Sequence, residues 1–228
     1  MNNTPEWPPV PGDFEVKDTD HCVAICTLGK KIEINGEYAI IGTCKTENIG
    51  IERIIINTIS NPNIRFLILA GPEVPGHLTG RTLRALFHNG VDSDTRKIID
   101  AEGAIPYIEN VTLEGIERFR QQIELIEMIN TLNPDVISKT AHEVQIRNPG
   151  RYPDDAMWIE FKVATSKSRR VSLSSDILVL PEYNLVYDHL TSLVSKSEFH
   201  SYISEHPTRI AVEVRTSDEG TILVGKEG

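Results

Sequence analysis

Short apolar runs rich in β-branched residues alternate with amphipathic stretches over the first two thirds of this chain, and that alternation restricts its fold more than any other feature. A run such as Cys22-Val23-Ala24-Ile25-Cys26-Thr27-Leu28 has almost no polar face, so a strand made from it must be covered on both sides. Strands of this kind separated by helices pair in parallel, because parallel neighbours need a crossover connection. The expected class is therefore α/β: a Rossmann-like three-layer sheet over residues 1–147.

Residues 22–28 supply the first strand, which stops at Gly29. Residues 31–34 and 37–41 flank Asn35-Gly36, the dipeptide best suited to a type I′ turn, and predict a small hairpin. Ile51, Ile54, Ile55 and Ile59 share one face of a helix over residues 48–60, with Thr46 or Asn48 as N-cap and Asn61-Pro62 as the stop. Residues 64–70 read as a second buried strand, followed by a loop from Gly71 to Gly76. The next helix, capped by Thr79, buries Leu83, Leu86 and Phe87 and ends at Asn89-Gly90. Residues 97–101 read as a third strand and residues 102–107 as a loop. Thr112 opens a long helix with Ile116, Phe119, Ile123, Ile126 and Ile129 facing inward, ending before Asn133-Pro134, and a shorter helix runs to about Arg147.

Turn formers crowd residues 148–155, Asn148-Pro149-Gly150-Arg151-Tyr152-Pro153-Asp154-Asp155, as at a domain boundary. Residues 156–228 then read as a small α+β domain. It has strands at 157–164 and 176–180, a helix from about 188 to 205, and a closing hairpin of 209–215 and 221–225 around Asp218-Glu219-Gly220.

A net charge of −10 argues against nucleic acid or anionic lipid as a partner, since both are held mainly by clustered Lys and Arg. The one basic cluster, Lys167, Arg169 and Arg170, is short and reads as a solvated linker. No run approaches the roughly 20 apolar residues of a spanning helix. The polar, proline-rich start from Met1 to Pro11 is no signal peptide. Three cysteines without a secretory signal fit reduced thiols. The expected location is the cytoplasm.

Ligands of open α/β sheets sit beyond the carboxyl ends of the strands, and here the loops at Leu28-Gly29, Gly71 to Gly80 and Glu102 to Tyr107 should gather. Only the middle loop holds an imidazole. In Glu73-Val74-Pro75-Gly76-His77-Leu78-Thr79-Gly80, His77 lies between a flexible loop and a helix N-terminus. It can serve there as metal ligand, general base or a plain loop residue. The polar segment Gly42-Thr43-Cys44-Lys45-Thr46-Glu47-Asn48-Ile49-Gly50 precedes a helix, where free N–H groups can bind amide or phosphate oxygens or simply be capped. Cys22 and Cys26 should point to one face of their strand, with Cys44 nearby, and read as buried thiols rather than a zinc site. His21, His88, His142, His189, His200 and His206 are scattered without ligand spacing. No Walker loop, G-x-G-x-x-G, G-x-S-x-G or H-E-x-x-H occurs.

Three stretches of irregular loop sequence resemble the corrinoid-bearing A subunit of the archaeal tetrahydromethanopterin S-methyltransferase complex. They are Gly42 to Glu52; Asn61-Pro62-Asn63-Ile64-Arg65 running to Gly76-His77-Leu78-Thr79-Gly80; and Gly103-Ala104-Ile105-Pro106-Tyr107-Ile108-Glu109-Asn110. Order and spacing agree from about Trp7 to Arg147. His77-Leu78-Thr79-Gly80 also matches the histidine-x-x-glycine part of the signature of other corrinoid domains. The Asp expected two residues before that histidine is replaced by Pro75, so Glu73 or a loop carbonyl is expected to orient the ring.

The resemblance implies a cobalamin or related cobamide, with His77 toward its cobalt. It places Gly29, Thr46, Glu47, Asn48, Gly71, Glu73, Val74, Gly76, Leu78, Thr79, Ala104, Ile105, Pro106 and Tyr107 around the cofactor. The implied role is to carry a methyl group from a methyl-tetrahydropterin to a thiol such as coenzyme M. Catalysis would be shared with partner methyltransferase subunits, and the corrinoid would do the hard chemistry. The family protein continues into a transmembrane anchor, whereas residues 157–228 contain no such helix, so a soluble paralogue is expected. Two other readings stand beside it: a corrinoid storage or sensing module, and a cobalt-free Rossmann-like enzyme with His77 as base.

Overall fold

The computed structural model describes residues 6–161 in full and, beyond them, the backbone of five strands within residues 177–227. The chain divides into two units, Met1–Val163 and Ala164–Gly228.

The first unit is α/β, a mixed five-stranded sheet in the order β1-β3-β2-β4-β5. Its strands are β1 (Phe14–Val16), β2 (Val23–Cys26), β3 (Ile40–Gly42), β4 (Phe66–Gly71) and β5 (Glu124–Ile129). β2 to β5 run parallel, and only β1 is antiparallel, against β3. Four helices accompany them: α1 (Ile49–Ile59), α2 (Thr79–Asn89), α3 (Leu113–Gln122) and α4 (Pro134–Ile146). Alternate strand residues feed two core layers, as the pleat requires. Ala24, Cys26, Leu67 and Leu69 pack with Ile51, Ile55, Leu83, Leu86 and Phe119 of α1 to α3. Val23, Ile25, Phe66 and Ile68 pack with Ile137, Ala141 and Val144 of α4.

Several expectations are corrected. Residues 31–41 form no hairpin: neither Asn35 nor Gly36 takes a positive φ, and β3 pairs in parallel with β2. The long helix expected from Thr112 stops at Gln122, and residues 124–129 become β5. Leu125 and Ile129 face one core layer while Ile126 and Met128 face the other, so the run is apolar on both sides and its spacing mimics a helix. Residues 97–101 do not enter the sheet, and their pairings are isolated bridges, Val91 with Ile98 and Lys97 with Tyr107. Cys22 and Cys26 lie in different core layers; Cys26 shares its layer with Cys44. The N-terminal segment is also part of the fold, since buried Val10 exchanges hydrogen bonds with the Asn57 side chain and Trp7 Nε1 donates to Asn57 O at 2.7 Å.

The segment after α4 is tied to the amino-terminal rim of the sheet. Tyr152 N donates to Pro62 O at 2.9 Å, Met157 N to Ile59 O at 3.0 Å and Arg65 Nη1 to Gly150 O at 2.7 Å, while the Arg118 guanidinium lies 4.0 Å from the Tyr152 ring centre. Residues 157–161, expected as strand, are irregular, and Met157, Ile159 and Phe161 pack on the first core layer.

In the second unit β6 (Ile177–Leu180), β7 (Leu185–Asp188) and β8 (Leu193–Lys196) form an antiparallel meander, and β9 (Ile210–Ser217) pairs with β10 (Gly220–Glu227) as a hairpin. The strand at 177–180 and the closing hairpin match expectation. The helix expected over 188–205 does not hold at residues 193–196, where ladder pairing with β7 replaces it. The basic cluster at Lys167, Arg169 and Arg170 lies outside the described residues, as do His189, His200 and His206. Among the described residues, no helix is long and apolar enough to cross a membrane.

Candidate functional site

The carboxyl ends of β2, β3 and β4 bring their loops together, and two glycines set the spacing. At the end of β4, Gly71 takes φ +80° against the Thr27 backbone, next to the end of β2. Gly29 N donates to Pro72 O at 3.1 Å, and a Cβ on Gly29 would lie 3.1 Å from Val74 Cγ2. Gly29 and Gly71 therefore serve close packing between loops.

The β4–α2 loop turns on Val74, whose carbonyl accepts from His77 N at 3.1 Å and Leu78 N at 3.0 Å. Gly76 at φ +82° and Leu78 at φ 45° carry the chain into α2. Leu78, not Thr79, is the N-cap, and it makes no side-chain cap bond. Glu73 caps the helix instead, its two carboxylate oxygens accepting from Gly80 N at 2.9 Å and Arg81 N at 2.8 Å. A carboxylate there also suits the positive end of the helix dipole. Glu73 is thus committed to α2 and does not orient His77.

The group that does so is Glu47, from the loop after β3. Its Oε2 lies 2.5 Å from His77 Nδ1, and its Oε1 accepts from Ile105 N at 2.7 Å. The Glu47 side chain is 2% exposed and that of His77 29%, so a buried carboxylate holds an imidazole that still reaches solvent. His77 Nε2 has no hydrogen-bond partner among the described residues. Thr46 and Asn48, on either side of Glu47, are caps: Gly50 N donates to Thr46 Oγ1 at 2.9 Å and Ile49 N to Asn48 Oδ1 at 2.7 Å.

The 102–107 loop reaches this edge without following a sheet strand. Glu47 holds its middle, and a second buried carboxylate, Glu52 of α1, holds the stretch beyond it, accepting from Glu109 N, Asn110 N and Asn110 Nδ2 at 2.6, 2.7 and 2.7 Å. Gly103 rests on the site, where a Cβ would lie 2.6 Å from His77 O, 2.7 Å from Thr82 Oγ1 and 2.8 Å from Glu47 Cγ. Ala104, Ile105 and Tyr107 are exposed, whereas Pro106 is buried and its carbonyl accepts from Ile98 N at 2.8 Å. The Thr79 and Thr82 hydroxyls are buried and lack a partner among the described residues. Sequence reasoning missed Glu52, Thr82 and Gly103. Glu52 and Gly103 stand in the loop stretches quoted from the sequence without a role of their own, and Thr82 left no signal.

Burial pushes the Glu47 carboxyl up, but the hydrogen bonds from His77 and the backbone outweigh it and hold the acid below its ordinary 4.5. The bond to Glu47 raises His77 above its ordinary 6.5, against the opposing effect of burial. The pair's contribution to stability is full below 6.5 for the imidazole and above 4.5 for the carboxylate. It is lost as pH rises through the raised His77 value or falls through the lowered Glu47 value. The difference in urea midpoint between the natural protein and Glu47→Gln should therefore be widest between those ordinary values and narrow on both sides. A difference that stays flat across pH would contradict the pairing.

Fold and site together define an α/β domain whose loop edge presents one partly exposed histidine, held from behind by a buried carboxylate. The chain belongs to the family of the tetrahydromethanopterin S-methyltransferase A subunit, whose family model matches residues 1–169. It is 51% identical over 157 residues to the tetrahydromethanopterin S-methyltransferase A subunit 1 of Methanothermobacter thermautotrophicus, covering 68% of this chain and 66% of that one. The A subunit of Methanopyrus kandleri is 49% identical over 164 residues, covering 68% and 66% of the two chains. The A subunit 2 of Methanobrevibacter ruminantium is 45% identical over 175 residues, covering 75% of this chain and 91% of its own. The match thus spans just under two thirds of the length of the first of these relatives and nearly all of the last.

Proposed function

We propose that the first unit binds a cobamide at the loop edge of its Rossmann-like sheet and carries a methyl group between a methyl-tetrahydropterin and a thiol, with other methyltransferase subunits as partners. Family membership supports the reaction class, and the observation that carries the reading is the His77–Glu47 pair. A metal-ligating histidine commonly gives its second ring nitrogen to a carboxylate, which fixes the ring and strengthens the ligand. Glu47 takes Nδ1, leaving Nε2 as the nitrogen available to cobalt. The surroundings fit a large, flat, partly apolar group. Ile105 and Tyr107 expose apolar surface, a Cβ on Gly76 would meet nothing within 4 Å, and the buried Thr79 hydroxyl has no partner among the described residues.

The bound cobamide would supply a cobalt centre able to accept and donate the methyl group. The chain's own share is to hold the cofactor, present one imidazole whose engagement can change, and limit access of water. Of the candidate set, His77, Val74, Gly76, Leu78, Thr79, Ala104, Ile105 and Tyr107 would face the cofactor, with Glu47 behind His77. Gly29, Thr46, Asn48, Gly71, Glu73 and Pro106 would shape the loops that carry them. Residues 164–228 would act as a separate domain.

The test is retention. Purified protein incubated with hydroxocobalamin and desalted should keep a corrin spectrum, and His77→Ala should retain less corrinoid, with the spectrum of a cobalt lacking the imidazole. Failure to retain any corrinoid, or a spectrum indifferent to His77→Ala, would overturn the assignment.

A further inference from the structure

Glu47 poses a problem that follows from its burial. Its carboxylate is nearly sealed from water and uses Oε2 on His77, whose loop is exposed at Pro75 and Gly76. A metal-binding imidazole has to shift when its ligation changes, and whenever it leaves Nδ1 contact a buried carboxylate oxygen loses its donor. An oxygen left in that state costs enough to oppose the movement.

The Thr82 hydroxyl is also buried and has no partner among the described residues. It sits on the first turn of α2, whose backbone holds it in place, with Thr82 N donating to Leu78 O at 2.9 Å. Thr82 Oγ1 and Glu47 Cγ lie 2.7 and 2.8 Å from one point, the position a Cβ on Gly103 would take, so the two side chains sit close together against that glycine. An orphaned donor and a carboxylate that can lose its donor are thus neighbours.

We propose that Thr82 is a positioning residue, the reserve hydrogen-bond donor to Glu47. Its hydroxyl turns to the carboxylate when His77 withdraws and is idle when His77 is in place. This role deepens the proposed function, because the need for release comes from a ligand histidine. The arrangement lets the imidazole engage or disengage while Ile105 N stays on Oε1 and the 102–107 loop keeps its position.

The test uses the full chain without corrinoid, so it can fail independently of cofactor binding. Urea unfolding is compared for the natural protein, His77→Ala, Thr82→Val and the double variant. With His77 present, Thr82→Val removes an idle hydroxyl and should leave the folding equilibrium unchanged or slightly more favourable. With His77 absent it removes the reserve donor and should lower that equilibrium constant by about tenfold or more. Thr82→Ser, which keeps the hydroxyl, should restore the His77→Ala value, which a loss of packing alone would not. A double variant that cannot fold while both single variants do is the same coupling at its limit. Equal effects of Thr82→Val in the two backgrounds would overturn the proposal.

Discussion

Gly71→Ala is expected to lose most of the folded population, with a destabilisation of about 4 kcal/mol or more. A Cβ at this position would lie 2.0 Å from Thr27 O and 2.8 Å from Thr27 C, both backbone atoms of the adjacent strand's end. Neither side can yield. Gly71 N donates to Thr131 O at 2.9 Å and its carbonyl accepts from Asn130 N at 2.7 Å, while Thr27 N donates to Gly42 O at 2.8 Å. The φ of +80° adds strain for any residue with a side chain. Gly76→Ala is the control, since its φ of +82° carries the same strain but its Cβ would meet nothing within 4 Å; it should cost only about 1 kcal/mol. Urea unfolding of the two variants measures the difference, and equal midpoints would refute the packing argument.

The second large effect is expected at Glu47. Glu47→Ala frees His77 Nδ1 and Ile105 N together, so affinity for hydroxocobalamin should fall about 10- to 100-fold, as when the outer partner of a metal-ligating histidine is removed. The 102–107 loop should loosen as well, which limited chymotrypsin cleavage after the exposed Tyr107 can follow. Glu52→Ala separates the two consequences. It removes three hydrogen bonds from Glu109 and Asn110 but leaves His77 untouched, so the loop should become cleavable while the spectrum of retained corrinoid stays the same. If Glu47→Ala changes only cleavage, Glu47 does not orient His77.

How far the sequence could be read depended on the range over which each feature is determined. α1, β2 and β4 were legible because continuous apolar runs and caps are local signals. β5 was not, since Leu125, Ile126, Met128 and Ile129 make both faces apolar and the spacing then cannot separate strand from helix. The position of His77 between a strand end and a helix start was equally legible, whereas its partner was not. Glu73 lies four residues from His77 and was the natural expectation, but both its carboxylate oxygens are taken by the first turn of α2. Glu47 is thirty residues away and meets His77 only because β3 and β4 flank β2. Gly103 and Thr82 have the same character, since their roles exist only after the 102–107 loop has folded back over α2.

The anchoring of residues 150–157 to Pro62, Ile59 and Arg118 ties the segment after α4 to the amino-terminal rim of the sheet, on the side opposite the histidine-bearing edge. That clasp and the His77–Glu47 pair share no residue, so a substitution that loosens one, such as Tyr152→Ala, should leave the geometry of the other intact.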